Sequence, residues 1–72
     1  MTRQEHLKWA KDRAIEYANR GDITGAWGSL VSDLNKHKET RGHDAILLGS
    51  QLVISGHLNT AEKMREFIDG VQ

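Results

Sequence analysis

Hydrophobic side chains recur with a helical period along most of this chain. The period is cleanest in the second quarter, where Ile23, Ala26, Trp27, Leu30, Val31 and Leu34 fall on one stripe and Asp22 precedes them as an N-cap. Upstream, Leu7, Ala10, Ala14, Tyr17 and Ala18 form a second stripe of mostly small side chains, so a neighbouring helix can approach closely there. This first helix starts at the capping-box pair Thr2 and Glu5, runs to about Arg20, and stops at Gly21, a residue suited to the left-handed position after a helix. Near the end of the chain, Ala61, Met64, Phe67, Ile68 and Val71 make a third stripe. It is introduced by Asn59 or Thr60 as cap, with Leu58 as a staple, and closed by Gly70.

The stretch Asp44 to Gly56, DAILLGSQLVISG, is different because its apolar residues surround the helix. At about 100° per residue, Ala45, Leu48, Gly49, Leu52 and Val53 share one face, while Leu47 and Ile54 point the other way. A helix of this kind needs cover on both sides, so it is expected to be the central element, wrapped by the other three helices or completed by a second copy of the chain. Its N-cap is either Thr40 or Asp44, and the four-residue spacing of Ala45 and Gly49 permits a close helix crossing. The expected fold is all-α: one domain over residues 1–72, a compact bundle of four short helices in which an αα-hairpin is followed by the central apolar helix and a short C-terminal one.

Two features disturb the stripes. Trp9 lies nearly opposite Leu7 among Glu5, Asp12 and Glu16, which makes it either a ring laid over the core edge or an anchor for a partner. Gly25, Gly28, Ser29 and Ser32 form a bare back on the second helix. That back implies either loosely wound first turns or another backbone packed closely against it.

Composition adds limits. Seventy-two residues bury only about 60% of their unfolded surface, which makes help from an oligomer plausible. Ten basic and ten acidic residues leave no net charge, so no global field draws the chain to nucleic acid or to an anionic membrane. There is no cysteine for disulfides or thiolate chemistry, and no apolar run approaches the ~20 residues of a membrane span. MTRQEHLK lacks the apolar core of a signal peptide. These features suggest a soluble, cytoplasmic protein with no membrane partner.

Chemistry is sparse. The histidines, His6, His37, His43 and His57, show no metal-ligand spacing, although the last three lie near helix ends and could gather at one end of the bundle. Ser29, Ser32, Ser50 and Ser55 sit outside any nucleophile-elbow pattern, and the glycines form neither a P-loop nor a dinucleotide fingerprint. No catalytic residue, metal ligand or cofactor site is assigned, and the chain is expected not to be an enzyme. The one basic concentration is NKHKETRGH, where Lys36, Lys38 and Arg41 are either a solvated connector or contacts to phosphate or an acidic protein surface. A helix-turn-helix reader would need a basic recognition helix, and neither the second nor the third helix supplies one.

Two resemblances add to this reading. AIEYANRGDITGAWGSLVSDL resembles one helix pair of a tetratricopeptide-type repeat through Tyr17, the Gly21-Asp22 turn, Ala26 and Leu30. It covers about residues 10 to 34, without the early tryptophan-leucine-glycine signature and without a second copy. Over nearly the whole chain, EHLKWAKDRAIEYANRGD, SLVSDLNKHKET and GHLNTAEKMREFIDG resemble small uncharacterised helical proteins of tailed bacteriophages. This resemblance carries over no functional residues. It implies a phage or prophage accessory factor acting in the host bacterial cytoplasm on a host or phage protein. The candidate interaction residues are Trp9, Leu47 and Ile54, the last two forming a self-complementary patch if the chain is a homodimer. The alternative is a nucleic-acid accessory protein using Lys36, Lys38 and Arg41.

Overall fold

The computed structural model describes residues 2–72; Met1, the first residue of the expected domain, lies outside the described residues. The sequence stripes become four helices: α1 (Arg3–Asn19), α2 (Ile23–Leu34), α3 (Asp44–Ile54) and α4 (Ala61–Asp69). The fold is the expected small all-α bundle, with no strand among the described residues.

Local signals set most helix ends. Thr2 caps α1 through a capping box, its hydroxyl accepting from the Glu5 N–H at 3.1 Å while its own N–H donates to the Glu5 carboxylate at 3.1 Å. Helix α1 closes in a Schellman turn. Gly21 at φ +80° donates to the Ala18 carbonyl, and the Asp22 N–H donates to Tyr17. Asp22 then caps α2, its carboxylate accepting from the Gly25 N–H at 2.8 Å. One residue thereby ends one helix and begins the next, which fixes a tight hairpin.

The hairpin core is a seam of small residues. Ala10, Ala14 and Ala18 of α1 meet Ala26, Leu30 and Leu34 of α2, and all six are fully buried. Met64 and Ile68 of α4, with Leu58 and Val71 on either side of it, close the open end of this seam. The backbones of α1 and α2 run in the most extensive contact, and α4 packs mainly on α1.

Helix α3 does not hold the central place expected of it. Only Ala45 and Gly49 are buried in it, and it makes little backbone contact with the other helices. Ile46 and Leu52 are half-buried against the core, while Leu47, Leu48, Val53 and Ile54 are exposed. Leu47 retains 69% of its accessible surface and Ile54 86%. The alanine seam explains this. Small side chains let α1 and α2 close on each other with α4 completing the core, which leaves no interior position for a fourth helix.

Helix α3 is held instead by aromatic rings from below. Trp27 and Phe67 meet edge to face with centroids 6.1 Å apart, and Trp27 abuts the bare backbone of Gly49. The expected close approach at Ala45 and Gly49 is therefore that of a ring, and a methyl group on Gly49 would overlap it. Neither Thr40 nor Asp44 caps α3. His43 does, Nδ1 accepting from the Ala45 N–H at 3.0 Å, while Thr40 is buried and donates to the Leu34 carbonyl at 2.6 Å beyond the end of α2. Of the two candidates for α4, Thr60 is the cap, accepting from the Lys63 N–H at 3.1 Å.

The bare back of α2 also has an origin different from either expectation. The helix is regular from Ile23, and no backbone covers the strip. Gly25 leaves room for the Asp22 capping carboxylate, and Gly28 faces open space.

Two glycines thus predict opposite signs for one substitution. Gly28→Ala should raise the unfolding free energy by about 1 kcal/mol, the helix-propensity difference. Gly49→Ala should lower it by about 1 kcal/mol or more despite the same propensity gain, because the methyl overpacks Trp27. Chemical denaturation of both variants checks this. At α1, the hydrogen bond from the Thr2 N–H, with that to the Thr2 side chain, holds the Glu5 carboxyl below its ordinary value of 4.5. A lowered folded-state value stabilises the fold above pH 4.5 and that contribution is lost as the pH falls through the lowered value. The effect is small at this exposed position. Wild type should lose more stability than Glu5→Gln, which has no carboxyl to titrate, across that acid window, measured by denaturation at stepped pH.

Candidate functional site

The densest polar arrangement lies where α1 crosses the end of α2, and its centre is Asp33. This residue falls on the inner face of α2, seven positions after Ala26, and its side chain is only 1% exposed. Arg13 of α1 reaches it with Nε 2.9 Å from Oδ2, Lys36 with Nζ 3.0 Å from Oδ1, and the Ser29 hydroxyl donates at 3.4 Å. The main chain of Asp33 is engaged as well. His6, itself buried, donates from Nε2 to the Asp33 carbonyl at 2.6 Å and so satisfies a carbonyl in the last turn of α2.

Trp9 completes this arrangement. Its half-buried ring carries the Arg13 guanidinium 4.8 Å and the Lys36 ammonium 5.7 Å from its centroid, and the His6 ring lies 5.5 Å away. The tryptophan that looked misplaced on α1 is a cover for the Asp33 ion pairs: it holds both cations over the carboxylate while its edge packs on the core. His37 stacks beyond it, 4.9 Å from the His6 ring.

The histidines are not gathered at one end of the bundle. His6 pairs with His37, His43 caps α3 and hydrogen-bonds the Gln72 carbonyl at 2.7 Å, and His57 lies 2.6 Å from the Ser55 hydroxyl. Among the described residues, no group of three or more His, Cys, Asp or Glu is placed to hold a metal ion. Ser55 and His57 are within hydrogen-bond reach of each other, but both are exposed and this is the only hydrogen bond of the His57 ring among the described residues, so no third group orients the base as nucleophilic catalysis requires.

An open groove of about 500 Å³ runs beside the first half of α1, lined by Arg3, Leu7, Lys8, Lys11, Ile15 and Val71 among others. Its cations are already engaged. Lys8 pairs with Asp12 at 2.7 Å, Lys11 donates to the carbonyls of Asp69 and Val71, and Arg3 donates to that of Gln72. These bonds pin the end of α4 and the segment after it onto α1, so the groove is a seam of the fold whose cations are already paired.

Of the residues singled out from sequence, Lys36 is committed to Asp33, whereas Lys38 and Arg41 are exposed in the α2–α3 connector. Leu47 and Ile54 lie on the outer face of α3, and Trp9 stands apart from them beside Asp33. The Asp33 cluster was missed by sequence reasoning. The available signal was an acidic residue at a core-facing position of α2 opposite a helix with His6 and Arg13 seven apart.

No family model, no curated protein and no solved structure matches this chain. Among the described residues, no helix is long and apolar enough to cross a membrane.

The Asp33 cluster predicts an asymmetry. Replacing both cations, Arg13→Met with Lys36→Met, leaves a buried carboxylate with only Ser29, and the loss should reach about 3–5 kcal/mol. Asp33→Leu releases two cations whose side chains are already 45% and 56% exposed, so water solvates them and the loss should be clearly smaller. Urea denaturation of the two variants side by side checks the order.

Proposed function

We propose that this chain is a small non-enzymatic interaction protein that docks onto another protein through the outer face of α3. The observation that carries the reading is the exposure of Leu47, Leu48, Val53 and Ile54 on a single 11-residue helix. Scattered surface leucines are ordinary, but a contiguous apolar patch is the usual mark of a protein contact. Ser50 and Gln51, which lie between Leu47 and Ile54 along this face, are uncharged, and that depletion of charge fits the same reading. Trp9, the other proposed anchor, has its ring engaged with Arg13 and Lys36, so the reading rests on Leu47 and Ile54.

The resemblance to small phage proteins supports an infected bacterium as the setting, with the partner a host protein or a phage protein, a second copy of this chain included. The nucleic-acid alternative gains no support: one of its three proposed phosphate contacts, Lys36, is held by Asp33.

Affinity capture from phage-infected bacteria should recover a partner with the wild-type chain that is lost with Leu47→Glu combined with Ile54→Glu. Both side chains are already solvent-exposed, so circular dichroism should show helicity unchanged in the double variant. Equal recovery by both chains would remove α3 from the reading.

A further inference from the structure

Building on the proposed docking role of α3, we infer that its occupant is a second copy of this chain, bound α3 to α3 in an antiparallel pair about a two-fold axis. The geometry points there first through register. Leu47 and Ile54 are seven residues apart, two helical turns, so an axis passing between Ser50 and Gln51 sets Leu47 against the partner's Ile54 and Ile54 against the partner's Leu47. Leu48 and Val53 flank this stripe on its two sides.

Charge supports the same pairing. From Ala45 to Ser55 the helix carries no charged residue, so two copies meet without opposing like charges, and their antiparallel dipoles attract. The polar residues at the axis are also self-complementary. The Ser50 hydroxyl donates back to the Ile46 carbonyl at 2.7 Å, which leaves its oxygen free to accept from the partner's Gln51 amide.

Area sets the expected strength. The exposed apolar side chains present on the order of a few hundred Å², the size at which a patch marks an interaction site. A small stable dimer takes roughly 600 Å² from each copy, about an eighth of the 4513 Å² this chain exposes. The apolar stripe with its rim is of that order, at the lower end of specific interfaces, so the pair should be weak and concentration-dependent. Pairing would also cover the outer face of a helix that is too short to be stable alone.

Sedimentation equilibrium of the full chain from micromolar to millimolar concentration is the test. The mass should rise from 8.1 kDa toward twice that value, and Leu47→Glu or Ile54→Glu should weaken association at least tenfold with helicity retained. Because the chain has no cysteine, the arrangement can be read directly. A mixture of Leu47→Cys and Ile54→Cys chains should oxidise to the mixed disulfide, in preference to either like pair. An 8.1 kDa species at every concentration overturns self-pairing, and predominance of the Leu47→Cys like pair overturns the antiparallel arrangement. If the chain is monomeric but a captured partner still depends on Leu47 and Ile54, only self-pairing fails. If neither association depends on them, the docking reading fails too.

Discussion

The close approach of α1 and α2 is the constraint on which the rest of this structure depends. Ala10, Ala14, Ala18 and Ala26 have no side chain beyond the methyl, so the two helices meet nearly backbone to backbone, with Leu30 and Leu34 filling the remaining space. Burial of small residues contributes little apolar area per residue, and the seam compensates by burying several of them completely. The turn at Gly21 and Asp22 limits the distance between the helices, because the N–H groups of Arg20, Gly21, Asp22 and Gly25 all bond within the junction itself. Helix α4 then needs only Met64 and Ile68 to close the core.

The Asp33 cluster follows from the same closeness. A carboxylate on the inner face of α2 cannot reach water once α1 is in place, so it must find cations, and Arg13 and Lys36 supply them from either side. Neither cation is itself deeply buried, which keeps the desolvation cost on one partner. Trp9 and His6 finish the arrangement by covering the ion pairs and by satisfying a helix-end carbonyl. A pair built this way fixes the rotation of α1 against α2 more sharply than a smooth alanine seam can. The cost is that the carboxylate tolerates the loss of its partners poorly.

The closed core leaves α3 outside, and this has a functional consequence. A helix with apolar residues on every side is stable on the surface of one chain only by leaving one side exposed, and here that side carries Leu47 and Ile54. Its inner side packs on the core through Ala45, Ile46 and Leu52, and the Trp27 ring lies close on Gly49. The helix is therefore fixed in orientation yet lightly attached, and it presents a fixed apolar stripe to a partner. The proposed self-pairing uses that stripe without asking the bundle to change.

Much of this was legible in the sequence because it depends on neighbours in the chain. The helix stripes, the Thr2–Glu5 box and the Gly21–Asp22 turn are set within three or four residues, and periodicity with capping chemistry reveals them, whereas the choice between Asn59 and Thr60 as the α4 cap stayed open. The outward direction of Leu47 and Ile54 relative to Ala45 and Gly49 was equally a matter of helical angle. Which side would be covered was not. That was decided by three-dimensional closure: the alanines let two helices exclude a third, Trp27 took the space beside Gly49, and Asp33 met Arg13 and His6 from 20 and 27 residues away in the chain. Amphipathic period states only that a face needs burial. Whether this chain or another provides it depends on volumes and distances that exist only once the helices are packed.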